Sequence, residues 1–465
     1  MDKRRLIWPI LIVALALRLI VALSQDPLAP YSNGNDSSWY LLNAYALIVG
    51  HAPEVTVPVL ERWSPYGLLH PALAITGHVV TVKTDVSNLA SPPFYFILIG
   101  VPRVLFAPAT AVILVRVLQA IFSAATCYFA YRLTIRLTNR ASAGLLAATV
   151  LAISPAFVIE SAQILTETTY IFFMVCGIWL YVESILSEQR QRILPLLALA
   201  AILFGLAALT RAVLLAFPLG IAIHLIMVRG WRKGWRQAFF LLLIYALTLS
   251  TWTVYSVARW QRFVIAGTGL DAFIYLGAAG WTSPQQVDQQ LEQTTDDSNV
   301  NDHPYLQGAA SMIGADPLGW VKHRVEELAS AYLQPHGTTF FPGASLKEIA
   351  VKWLRQDRSL GGLIALTRGD AFWPKLALYV FHAGGLIFGL IGMWIYRRRW
   401  QVALVLIGFI VYVTLVHLLV LALPRYLFPN EVFWWIFAAA ALQSIFDQLT
   451  RRRVLAAKPI KQGSS

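Results

Sequence analysis

A few side chains that could do chemistry stand where long apolar runs of this sequence begin or end: Asp36, Lys83, Glu167, Arg211, Arg425 and Tyr426. A carboxylate placed there can take a proton from an attacking hydroxyl. Planar guanidinium groups suit phosphate oxygens, which they hold through two parallel hydrogen bonds. Charges at that depth are costly to keep, so they pair, line a wet cavity or mark a substrate path. Each residue also has a plainer reading. Asp36, at the head of "DSSWYLLNAYAL", suits a helix N-cap. Glu167 suits the first turn of a helix, Arg211 and Arg425 can snorkel from span ends, and Lys83 reads first as solvated. Glu160, in "SPAFVIESAQ", joins Glu167 at the same boundary.

The elements that must position these residues follow from composition. With 57% hydrophobic and 13% charged residues, 16 tryptophans in 465 residues and a mean hydropathy of +0.61, the chain is too apolar for a soluble domain and too long for one anchor. Ten runs reach roughly the 17 to 25 residues a span needs. They lie near 6–23, 111–131, 142–159, 168–186, 193–209, 212–228, 237–257, 374–396, 401–421 and 428–447. The fold class this predicts is an all-α polytopic membrane protein with about ten spans. The first run follows "MDKRR" without a small-residue cleavage site and reads as a retained span.

Basic residues orient the bundle. Lys3, Arg4 and Arg5, Arg132 to Arg140, Arg190 and Arg192, Arg229 to Arg236, Arg397 to Arg399, and Arg451 to Lys461 hold more than half of the 37 lysines and arginines, and ten spans put every cluster on one face. The positive-inside rule makes that face cytoplasmic, with both termini there. The segment 91–108, broken by Pro92, Pro93, Pro102 and Arg103, therefore reads as interfacial or re-entrant rather than spanning. The alternative is a further pass through 66–82, giving twelve spans.

Three regions result: 1–257, carrying a first outer loop at 24–110; an outer segment at 258–373; and 374–465 with a cytoplasmic tail. The outer segment contains "DPLGWVKHRVEELASAYL", which reads as a helix capped by Asp316 with Pro317 at its first position. Arg18 and Arg116 fall inside spans and read as interior pairing or snorkelling.

Several chemistries are disfavoured. Cys127 and Cys176 lie inside apolar runs and build no disulfide framework. His51, His70, His78, His382 and His417 show no metal-ligand spacing. No phosphate-binding glycine loop, dinucleotide fingerprint or nucleophile elbow occurs, so soluble nucleotide donors are not expected. The net charge of +13 sits mainly in the inner loops and reads as topology and contact with membrane lipids, not nucleic-acid binding.

Taken together, the acid opening the first outer-loop helix, "SPPFYFIL", "LTET", "LTR" and "RYLFP" resemble the GT-C-type glycosyltransferases, in particular the dolichyl-phosphate-mannose protein mannosyltransferases and the lipid A aminoarabinose transferases. The resemblance runs over 1–257 and 374–447. It implies a GT-C-like bundle that moves a hexosyl or pentosyl group from a polyprenyl-phosphate carrier to a lipid, glycan or protein acceptor on the extracytoplasmic face of a plasma membrane. Asp36 would be the base of an inverting displacement. Arg211, Arg425 and Tyr426 would face the lipid phosphate, and Glu167 would orient a sugar hydroxyl or hold an arginine. Two positions depart from the family: Ser37 stands where a second acid is usual, and Ser91 where a cation precedes the Pro-Pro pair, a gap Lys83 would fill. No cofactor is expected; a divalent metal is the open alternative. A transporter or flippase of a lipid-linked sugar is the rival, although such proteins place their charges nearer the midplane.

Overall fold

The computed structural model describes residues 3–32, 36–49, 54–56, 73–76, 79–82, 91–279, 304–341, 344–369 and 371–456. Apart from a small sheet it is helical: α1 Ile7–Ser24, α2 Ala29–Ser32, α3 Asp36–Val49, α4 Pro93–Leu105, α5 Pro108–Thr138, α6 Ala141–Ile153, α7 Pro155–Glu160, α8 Thr166–Leu186, α9 Arg190–Ala208, α10 Phe217–Arg229 and α11 Trp231–Trp260. After these come α12 Leu270–Ala279, α13 Pro304–Ala315, α14 Pro317–Leu333, α15 Leu346–Gln356, α16 Leu360–Leu366, α17 Phe372–Tyr396, α18 Trp400–Leu419, α19 Pro424–Leu427 and α20 Asn430–Ala456. Prolines open α4, α5, α7, α14 and α19, where a missing N–H costs nothing.

Nine helices among the described residues are long and apolar enough to cross a membrane, which makes this a multi-pass membrane protein. They correspond to nine of the ten expected runs. The other run, 142–159, is split into α6 and α7 at Ser154. Pro155 has no N–H to offer the Leu151 carbonyl four residues back, so the helix must break there. The fully buried Arg18 fills the gap, donating from Nη2 to the Leu151 carbonyl and from Nη1 to the Ala152 carbonyl, each at 3.0 Å, and from Nε to Ser123 Oγ at 2.7 Å. Its expected interior pairing is thus with main-chain carbonyls left free by a proline.

The segment 91–108 holds α4, a helix of 13 residues, about 20 Å long and too short to span. The alternative pass, 66–82, lies partly outside the described residues. Leu73–Thr76 and Val79–Val82 are antiparallel strands, with Glu54–Thr56 on the other side of Val79–Val82. Late in the chain α17 and α20 lie backbone to backbone: a Cβ on Gly392 would collide with the Phe437 carbonyl oxygen, so only glycine permits the approach.

The two ends of α8 show how the bundle sorts its charge. Near its C-terminus Glu183 accepts from Arg136 Nε at 2.9 Å and Nη2 at 2.5 Å, from Arg132 at 3.4 Å and from Trp179 Nε1 at 3.0 Å. Arg140 pairs with Asp447 nearby in α20's last turns. Glu167, in the first turn, is about 24 Å away along the helix axis.

Candidate active site

Four elements bring their ends together around Glu167. α8 starts with Thr166 and Glu167, α9 ends just before Arg211, α3 starts at Asp36, and the short α19 carries Arg425 and Tyr426. Glu167 is fully buried and is the hub. Arg211 Nη1 donates to its Oε1 at 2.5 Å and to Thr166 Oγ1 at 3.1 Å. Arg425 Nε also donates to Glu167 Oε1, Arg425 Nη2 reaches Oε2 at 3.4 Å, and Arg425 Nη1 donates to Asp36 Oδ2. Two carboxylates and two guanidiniums thus form one neutral network drawn from positions up to 389 residues apart.

Burial disfavours the Arg425 charge, but the Glu167 and Asp36 carboxylates more than offset this and hold its pKa well above the ordinary value. Arg211 behaves alike: burial lowers it, Glu167 raises it, and the net shift is upward. Both are fixed cations. Arg211 Nε and Nη2 find no acceptor among the described residues, and the side chain keeps 15% exposure. It is the guanidinium with donors to spare.

Aromatic rings shape the walls. The Arg211 guanidinium lies 5.2 Å over the Tyr426 ring, which stacks on His417 at 5.3 Å and meets Phe273 edge-on at 6.0 Å. Tyr40, one turn along from Asp36 and so on the same helix face, is half-buried beside the charges. That burial, offset by Arg425 and reinforced by Asp36, pushes its hydroxyl up to about 12. Its ring meets Tyr95 of α4 at 5.2 Å, and the Tyr95 hydroxyl donates to Gln119 Oε1 at 2.6 Å. Gln119 Nε2 in turn holds the Ser161 and Gln163 carbonyls of the turn leading to Glu167.

Asp36, Glu167, Arg211, Arg425 and Tyr426, all expected from the sequence, are therefore brought to one site. Glu167 holds both arginines, not one. Lys83 lies outside the described residues. Glu160 sits apart from the hub, with Oε2 at 2.8 Å from His336 Nε2. Four residues that the sequence reading did not single out for the site belong to its surroundings: Thr166, Tyr40, His417 and His336. Tyr40 had a usable signal, the four-residue spacing from Asp36. His336 and His417 had none, because their relevance depends on tertiary contacts. Among the described residues no group of three or more His, Cys, Asp and Glu side chains could hold a metal ion, and the Asp36 and Glu167 carboxylates are already engaged by arginines.

The arrangement of the helices is similar to that in solved structures. An Archaeoglobus fulgidus oligosaccharyltransferase in the apo form aligns over 97% of this chain and 52% of its own, at TM-score 0.53 and 14% identity. The chain has the GT-C fold. A second structure with that fold, archaeal AglB from the same organism in complex with an inhibitory peptide and a dolichol-phosphate, aligns over 100% of this chain and 53% of its own, at TM-score 0.50 and 14% identity. ArnT from Cupriavidus metallidurans in the apo state aligns over 95% and 77% at TM-score 0.41 and 13% identity. The chain spans about half the length of the archaeal enzymes it matches. Residues 90–277 match the dolichyl-phosphate-mannose-protein mannosyltransferase family, a stretch that includes Glu167 and Arg211. A comparison with curated proteins finds no match.

Proposed function

We propose that this protein is a membrane glycosyltransferase that takes a sugar from a polyprenyl-phosphate carrier and gives it to an acceptor hydroxyl at the extracytoplasmic face. The observation that carries the reading is the convergence of Asp36, Arg425, Glu167 and Arg211 at one end of the bundle, beside an apolar wall, in a GT-C fold. A phosphate on a lipid combines an anion for guanidinium groups with a tail for the apolar surface of α4, where Ile97, Val101, Val104 and Leu105 are exposed. The clustering of basic loops supports cytoplasmic termini and an outer site.

The chemistry needs little. The sugar already carries a good leaving group, so no carboxylic acid is required to protonate the departing oxygen, unlike glycoside hydrolysis. Arg425 holds Asp36 Oδ2, and Oδ1 is left to accept the proton of the acceptor hydroxyl. The freed oxygen forms a bond to the anomeric carbon as the bond from that carbon to the phosphate oxygen breaks. The electron pair stays on polyprenyl phosphate, and the configuration inverts. Arg211, through its spare Nε and Nη2, takes the growing phosphate charge, with the Tyr426 hydroxyl as a further donor. Glu167 fixes the two arginines so that little reorganisation accompanies the reaction. Release of polyprenyl phosphate from a panel of polyprenyl-phosphate sugars by the purified protein in lipid tests the reading. Donor bound but never consumed, with plausible acceptors present, would point to the transporter.

A further inference from the structure

Arg324, on α14 of the outer segment, is 1% exposed, yet the site chemistry does not use it. Its donors converge on one stretch of main chain. Nε donates to the Leu418 carbonyl at 3.2 Å, and Nη2 to the His417 carbonyl at 3.1 Å and to the Val420 carbonyl. Nη1 donates to the Gly277 carbonyl at 3.3 Å and to Glu327 Oε2 at 2.5 Å. Glu327 closes the loop, its Oε1 accepting the Ala422 N–H at 2.7 Å. The His417, Leu418 and Val420 carbonyls lie at and just past the end of α18, where helical partners run out. One Arg–Glu pair thus grips the strap 417–422 by both its acceptors and a donor.

The strap leads straight into the site, because only Leu423 and Pro424 separate Ala422 from Arg425. His417, whose carbonyl Arg324 holds, donates from Nδ1 to the Leu421 carbonyl at 3.0 Å, and its ring carries the Tyr426 ring. Tyr426 in turn lies under Arg211. On the other side α12 presses directly on the strap: a Cβ on Gly277 would stand 3.1 Å from the Val420 carbonyl carbon and 3.3 Å from the Leu421 nitrogen.

We infer that Arg324 and Glu327 are positioning residues, clamping the strap so that Arg425 and Tyr426 are held against Glu167 and Arg211. This rests on the proposed role of Arg425 and Tyr426 toward a lipid phosphate. It gives the outer segment a task in the reaction: α14 sets the geometry of Arg425 and Tyr426 through the strap. Small displacements of such groups are expensive, on the order of 10²-fold in rate for an ångström.

The test uses the full chain in lipid and two readouts. Hydrogen exchange over 417–426 is compared in wild type and Arg324→Ala, and kcat and KM for a polyprenyl-phosphate sugar are measured in both, with and without Arg425→Ala. Faster exchange over 417–426 is expected, with kcat falling on the order of 10²-fold and KM changing much less. In the Arg425→Ala background, Arg324→Ala should cost little further kcat, because the clamp acts through Arg425. Unchanged exchange in the strap would overturn the inference, as would an equal loss of kcat in both backgrounds. Should Arg324→Ala fail to fold, Gly277→Ala, which pushes the strap from the other side, is read in the same way. A wild type that consumes no donor contradicts the proposed function, while the exchange comparison still decides the clamp.

Discussion

α8 carries the same ionic pattern at both ends, one glutamate between two arginines, and the two differ in what surrounds them. Glu183 is 14% exposed, and its partners Arg132 and Arg136 are 32% and 40% exposed. Glu167 is fully buried, its arginines are 15% and 17% exposed, and one of them also holds Asp36. Water screens the first set, so its ion pairs contribute little to stability. The second set is enclosed by Tyr40, Tyr426 and the helix ends, where an uncompensated charge is costly and an added anion is felt strongly. On the proposed function, one end serves topology and the other meets the charged ligand.

Neutralising the hub should break this comparison most sharply. Glu167→Gln leaves two half-buried guanidiniums facing an amide, and we expect a loss of about 3 kcal/mol in thermal unfolding of the purified protein, with donor turnover abolished. Behaviour matching Glu183→Gln would erase the distinction between the ends. Arg211→Lys keeps the charge but removes the fork with its spare donors. Turnover at saturating donor should fall on the order of 10²-fold while the melting point moves little. Tyr426→Phe keeps the ring between Arg211 and His417 and loses only the hydroxyl, for a decrease of roughly tenfold in turnover. Glu183→Gln should change stability by less than about 1 kcal/mol, with turnover unaffected and any shift smaller at high salt.

Much of the site was legible because ionisable residues at span ends are rare, and counting spans by their basic loops put Asp36, Glu167, Arg211 and Arg425 on one face. What periodicity could not tell was who pairs with whom. That Glu167 is the shared partner of both arginines depends on α9 and α19 ending at the same depth around α8, a tertiary fact. Two local features of the fold had signals in the chain. Pro155 marked the break in the run 142–159, which hydropathy alone reads through. "LAIT" and "VVTV" are rich in β-branched residues, in keeping with the strands found. The Arg324 clamp carried no signal, since an arginine on an amphipathic helix ordinarily faces water.

The most direct measurement of the central claim is consumption and binding of a polyprenyl-phosphate sugar by wild type and Asp36→Asn in lipid, with the anomeric configuration of the product determined. The account predicts that wild type releases polyprenyl phosphate with inversion, and that Asp36→Asn still binds donor but loses turnover by at least about 10²-fold. Undiminished turnover by Asp36→Asn, or a product of retained configuration, would contradict it.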